Sequence, residues 1–213
     1  MSSPFDQSRY QVRFDWGVAG LDRVATSDMI VVVDVLRFSS TVIDRLGAGE
    51  SVALDAAAHA VSLNGAAVAE RAAARGSLVL LGALTNAAAV ADAVLAEQRA
   101  RGDRTSILVL AAGELASRAS DAPLRFAVED LLGAGAVIDA LGALGIDHTS
   151  PEAAAACEAY RGLRPAVRHL LTASGSGQEL IDRDARDEVL SAARVDAAAS
   201  VPALRDGVFV PYV

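Results

Sequence analysis

At 213 residues, with a formal net charge of −8, 53% hydrophobic and 22% charged residues, the chain has enough apolar material for one sizeable core and does not have the composition of a disordered protein. No apolar run reaches the roughly 18 residues a membrane helix needs, and the acidic balance, with a pI of about 4.8, opposes a phosphate backbone, so neither membrane nor nucleic acid is an expected partner. Met1 to Tyr10 carries Asp6 and no apolar stretch behind a basic head, so a secretory signal is not expected and the cytoplasm is the default compartment.

The alternation of Tyr10, Val12 and Phe14 with polar residues predicts a first, half-exposed strand. Met29 to Val33 is a continuous run rich in β-branched residues, the pattern of a strand buried on both faces. Asp34 stands at its C-terminal end, and Ser39, Ser40 and Thr41 offer N-cap side chains for a helix reaching Leu46. Further strands are expected over Ser51–Leu54, Ser77–Leu81 and Ile107–Leu110, with helices over Ala66–Ala74 and Ala87–Arg101. Leu124–Leu144 reads as one long helix in which Gly133 and Gly135 cost roughly 1 kcal/mol each unless a neighbour packs closely there. Helices over Glu152–Tyr160, Pro165–Leu171, Ser176–Ile181 and Ala185–Ala193 follow, and Gly207–Tyr212 reads as a last strand. Strands alternating with helices predict a single α/β domain over 1–213, layered α/β/α around a parallel or mixed sheet. The apolar, alanine-rich helices are compatible with a homodimer.

All 19 basic residues are arginine. Without lysine there is no Schiff-base chemistry and no P-loop. Haloacid-dehalogenase-type phosphatases need a lysine too, and a second acid where Leu36 stands. The single cysteine, Cys157, cannot form an internal disulfide or a thiolate zinc site, and Arg161 follows too closely for a cysteine-phosphatase loop. His59, His148 and His169 show no ligand spacing.

In α/β sheets the ligand crevice lies beyond the carboxyl ends of the strands. Three segments compete for it. Asp34, Arg37 and the hydroxyls of Ser39, Ser40 and Thr41 can hold an anion at the helix start and a hard cation on the carboxylate; equally, Asp34 can cap the helix and pair with Arg37. Glu114, after Ala112-Gly113, adds an acid on the same edge or is a surface loop residue. Glu129 and Asp130 are adjacent acids in an apolar helix; neighbours point about 100° apart, so one of them leaves the solvent face, or both sit on it. Asn64-Gly65 and Thr85-Asn86 are turns able to present amides, and Ser174-Gly175-Ser176-Gly177 resembles an anion-binding nest.

Taken in order, Val31 to Arg37 with Ser40-Thr41, Asn64-Gly65, Thr85-Asn86-Ala87, Ala112-Gly113-Glu114 and Val128-Glu129-Asp130 with Gly135 resemble the 2-phosphosulfolactate phosphatases (ComB-like). Ala173-Ser174-Gly175, Asp196, Val201 to Leu204 and Asp206-Gly207 follow in the same order. The resemblance implies a magnesium-dependent phosphatase of α/β architecture that converts 2-phospho-3-sulfolactate to 3-sulfolactate and phosphate. It assigns Asp34, Glu129 and Glu114, with Asp130 beside them, to metal and water. Arg37, Ser39, Ser40 and Thr41 go to the anionic substrate, and Asn64, Gly65 and Asn86 shape the pocket. The catalytic set it implies is Asp34, Arg37 and Glu129.

Two departures stand out. The stretch Asp55 to Leu63 is shorter than in the family, and Ala66 replaces the usual threonine after the Asn-Gly pair. These keep open a second reading, a ComB-like protein that binds an anion without turnover. A nucleotide-binding protein is a weaker third, because no glycine fingerprint follows the first strong strand.

Overall fold

The computed structural model describes residues 3–62, 64–117 and 122–213. Strand β1 (Val12–Trp16) runs directly into α1 (Gly17–Arg23), and β2 (Met29–Val33) into α2 (Phe38–Gly47) through a short loop. Next come β3 (Val52–Ala53), α3 (Ala56–Val61), α4 (Gly65–Ala73), β4 (Leu78–Gly82), α5 (Ala87–Arg101) and β5 (Ile107–Ala111). A small hairpin of β6 (Glu114–Leu115) and β7 (Leu124–Arg125) leads to α6 (Val128–Ala143). Then α7 (Pro151–Leu163), α8 (Val167–Ala173), α9 (Gly175–Ile181) and α10 (Arg186–Ala192) precede the closing strands β8 (Pro202–Arg205) and β9 (Val208–Pro211).

Among the described residues the main sheet has seven strands in the order β1-β5-β2-β4-β8-β9-β3. The first four are mutually parallel, while β8, β9 and β3 join antiparallel. The expected α/β layering around a mixed sheet is what forms. Its cause is the alternation of side chains along each strand. Met29, Val31 and Val33 point to one core with Leu132, Ala134 and Val137 of α6 and Ala153 and Tyr160 of α7. Ile30 and Val32 point to the other, with Leu21 of α1, Val42 of α2 and Ala69 of α4. Both faces of β2 are covered, so all five residues are apolar and buried. Among the described residues no helix is long and apolar enough to cross a membrane.

Three expectations change. The first strand is buried over Val12–Asp15 rather than half-exposed, because α7 and α1 pack against it while β5 pairs along one edge and Val12 bridges to Thr149 on the other. Its polar residues are satisfied there: the Arg13 guanidinium donates to the carbonyls of Tyr10, Ala25, Thr26 and Ser8, and Asp15 pairs with Arg23. The helix expected over Leu124–Leu144 starts only at Val128. Leu124 instead packs against Gly17 and Gly113, and Phe126 meets Trp16 at 5.5 Å between ring centroids with the ring planes tilted by 49°. Tertiary contacts there override a helical pattern. Finally, α2 starts at Phe38, so Ser39, Ser40 and Thr41 lie inside it, and its cap bond comes from Asp34 Oδ1, which accepts from the Phe38 amide at 3.2 Å. The close approach expected at the α6 glycines is present: a Cβ on Gly133 would meet Val35 Cγ2 at 2.6 Å, and one on Gly135 would run into the Ala156 carbonyl of α7.

Candidate active site

Strands β2 and β5 are neighbours whose C-terminal ends stay joined one residue on, where the Ala112 amide donates to the Val33 carbonyl at 2.8 Å. Beyond that point their connections part. The chain leaving β2 enters α2, which packs mainly on the Ile30–Val32 face, while the chain leaving β5 crosses the hairpin to α6 on the opposite face. Diverging connections open a crevice. A cleft of about 370 Å³ occupies it, and Asp34, Arg37, Asn64, Glu114, Glu129 and Asp130 all contribute to its wall.

Asp34 is held from two sides. Its Oδ1 accepts from the Phe38 amide, and its Oδ2 accepts from the Ser62 hydroxyl at 2.9 Å. Ser62 Oγ in turn accepts from the Gly65 amide at 2.9 Å, which ties the start of α4 to the carboxylate. Burial pushes the Asp34 carboxyl up from its ordinary 3.8 to about 6; the two hydrogen bonds pull the other way, and Glu114 and Glu129 add repulsion. The alternative pairing of Asp34 with Arg37 does not form, since Arg37 pairs with Glu188 of α10 at 3.0 Å.

Glu129 and Asp130, in the first turn of α6, are both buried, so neither lies on a solvated face. Asp130 is committed to the backbone: Oδ1 accepts from the Val35 amide at 2.7 Å and Oδ2 from the Gly113 amide at 2.9 Å. It clamps the loop after β2 to the loop after β5. Burial first, then Asp34 and Glu129, push its carboxyl well above the ordinary range against the pull of the two amides. Glu129 differs. It is 3% exposed, faces the cleft, and among the described residues accepts no hydrogen bond and pairs with no arginine. Glu114, half-buried on β6, accepts from the Ser176 hydroxyl at 3.0 Å, and burial followed by Glu129 raises its pKa.

The remaining candidates divide. Asn64 reaches the cleft and donates to the Gly113 carbonyl at 2.7 Å, and Gly65 lies against Asp34. Ser39 is fully buried; its hydroxyl accepts from the Asp34 amide and donates to the Val32 carbonyl. Asn86 is also consumed internally, accepting from the Ala83 amide and donating to the carbonyls of Leu81 and Ser200. Neither lines the cleft. Ser40 and Thr41 line a second cavity of about 360 Å³, together with Thr85 and Ser191, on the far side of Leu36 and Arg37, which border both. In the Ser174–Gly177 turn the Gly177 amide is used by its own cap, Ser174 Oγ, at 3.1 Å. Ser176 still reaches the cleft. None of the three histidines lines it.

Sequence reasoning missed Ser62, Arg125 and Arg183, which also line the cleft. Ser62 carries no local signal, and Arg125 is hidden in what reads as a helix.

Residues 55–207 match the family model described as 2-phosphosulpholactate phosphatase. The chain belongs to this family. No curated protein matches the chain significantly. The matched span covers most of the chain and takes in Asn64, Gly65, Glu114, Glu129 and Asp130. Asp34 to Thr41 precede it and meet it in the fold, through the bonds of Asp34 to Ser62 and of Val35 to Asp130. The activity the 2-phosphosulpholactate phosphatase family is named for is that of a phosphatase.

The donor chemistry at the cleft can be compared with that of a divalent cation. Among the described residues no three histidine, cysteine or acidic groups form a ready cage. Magnesium does not require one, because it is held by one or two carboxylates together with waters and substrate phosphate oxygens. Asp34 and Glu129, both on the cleft wall without an arginine partner, fit that demand; Asp130 bridges two backbone amides and so ties the two loops together, while Asp34 is oriented by Phe38 and Ser62.

Proposed function

We propose that this chain is a magnesium-dependent phosphomonoesterase acting on a small, doubly anionic 2-phospho acid, of which 2-phospho-3-sulfolactate is the representative the family name supplies. The observation that carries the reading is the buried, unpartnered Glu129 facing the same cleft as Asp34. Asp34 and Glu129 would hold the metal, which when bound neutralises phosphate oxygens and lowers the barrier to attack at phosphorus.

Hydrolysis forms a bond from water oxygen to phosphorus and breaks the ester P–O bond; the attacking water gives up a proton to an oxygen of the released phosphate, and the departing alkoxide must gain one. Glu114 suits that step. Burial and the Glu129 charge let it keep its proton to a higher pH than an ordinary glutamate. Arg37 lies on the cleft wall, where its guanidinium can oppose phosphate charge once it leaves Glu188. Ser62 and the Phe38 amide hold Asp34 in one orientation throughout.

The test is phosphate release by the purified protein with magnesium, using 2-phospho-3-sulfolactate, 2-phospholactate and a chromogenic phosphate ester. Turnover of a phospho acid that disappears in Asp34→Asn, with the circular dichroism spectrum retained, supports the reading. No phosphate from any of the three overturns it. The short Asp55 to Leu63 segment favours a second reading, anion binding without turnover; Leu63 itself lies outside the described residues. Ligand-dependent thermal stabilisation without phosphate release would select it.

A further inference from the structure

The cleft wall carries three arginines, Arg37, Arg125 and Arg183. Two are already neutralised, Arg37 by Glu188 at 3.0 Å and Arg183 by Glu179 at 3.2 Å. Arg125 is exposed and lies within ion-pair distance of no carboxylate among the described residues. On β7 it pairs in register with Glu114 of β6. Its guanidinium overlies the start of α9, with Nη2 at 3.7 Å from a Cβ built on Gly175, beside the Ser176 whose hydroxyl binds Glu114.

The hairpin holds this position. Leu124 fills the space over Gly17 and Gly113, where an added Cβ would meet it at 2.9 and 3.0 Å, and Phe126 meets Trp16. The residues on either side of Arg125 each keep one such contact although both are partly exposed, and the Arg125 side chain lines the cleft.

A ligand with two anionic groups meets a wall bearing the carboxylates of Asp34, Glu114, Glu129, Asp130 and Glu179. A cation at the phosphate end offsets repulsion there and leaves the second group opposed. Recruiting Arg37 or Arg183 for that group means first separating a contact ion pair, a small cost for such exposed pairs, whereas Arg125, whose charge reaches Glu114 only at longer range, offers a planar two-pronged donor with no contact pair to separate. We propose that Arg125 is the specificity-determining residue that reads the second anionic group, sulfonate or carboxylate, of a 2-phospho acid. This rests on the phosphatase reading.

The experiment compares wild type, Arg125→Gln and Arg125→Lys with magnesium on 2-phospholactate, which has a second anionic group, and on phenyl phosphate, which has none. For Arg125→Gln the ratio of kcat/KM between the two substrates should fall by about tenfold or more, mostly through KM for phospholactate, with Arg125→Lys in between. Equal losses on both substrates, or an unchanged ratio, overturn the assignment. Wild type inactive on every ester sinks the phosphatase reading instead. Calorimetric titration with 3-sulfolactate then decides separately: binding about tenfold weaker in Arg125→Gln supports the assignment, and equal binding, or none by wild type, overturns it.

Discussion

The Asp34 carboxylate and Gly65 share one space: a methyl built on Gly65 would overlap Asp34 Oδ2 and come within 2.9 Å of Phe38 Cβ and Cδ1. Gly65 opens α4, where alanine would otherwise be favoured by about 1 kcal/mol. Overpacking of a buried contact costs about 1–3 kcal/mol, so the steric effect should win. Gly65→Ala is expected to unfold at lower urea concentration than wild type and to lose at least part of its phosphatase activity, because the displaced carboxylate no longer sits on Ser62. A variant as stable and as active as wild type would show that Asp34 has room to retreat.

Asp34 also gives the protein a characteristic pH response. Its carboxyl is ordinary near 3.8 in the unfolded chain and about 6 in the folded one. The folded state therefore binds the proton more tightly, and the stability this supplies is complete below 3.8 and lost as pH rises through about 6. At 1.36 kcal/mol per unit the loss is roughly 3 kcal/mol for an isolated group. Other carboxyls shift oppositely, Glu97 and Asp28 among them, so the readout is a difference. In metal-free buffer, the stability of Asp34→Asn relative to wild type should rise between pH 4 and pH 7. A pH-independent difference would refute it.

Magnesium should offset part of that penalty. At pH 7.5, where Asp34 is ionised, a cation bound at tenfold its Kd adds about 1.4 kcal/mol of stability. Near pH 5 the proton on Asp34 competes and the gain should shrink. Glu129→Gln should abolish the magnesium-dependent rise in Tm at both pH values. An equal rise in wild type and Glu129→Gln would place any bound metal elsewhere.

Much of this arrangement is legible in the chain, for reasons specific to each element. The apolar run Met29–Val33 has to be a strand covered on both sides, and an acid at its end falls at the sheet edge where crevices form. Gly133 and Gly135 announce close packing because nothing else explains two glycines inside an apolar helix. Hydroxyl and amide residues are less readable. Ser39 and Asn86 look like ligand contacts, yet backbone groups consume them, and residue type alone does not say which partner a hydroxyl takes. Arg125 escapes notice for another reason: Leu124 has helical spacing with Val128 and Leu131, and only its contacts with Gly17 and Gly113, distant in the chain, hold it in a hairpin.

Thr85 offers a test of the wall shared with the second cavity. Its carbonyl accepts from the Ala198 amide at 2.8 Å, but its hydroxyl, shut off from solvent and from the cleft, finds no partner among the described residues. An unsatisfied buried donor costs about 1–3 kcal/mol, whereas valine keeps the branched shape and removes the hydroxyl. Thr85→Val should therefore stabilise the fold by about 1 kcal/mol, read as a higher urea midpoint at unchanged m-value. The two side chains are both β-branched, so backbone preference in the turn Leu84–Asn86 changes little. A midpoint lower than wild type would mean that in solution the hydroxyl is bonded, for example to a water held between Thr85 and Ser40 in the cavity they share.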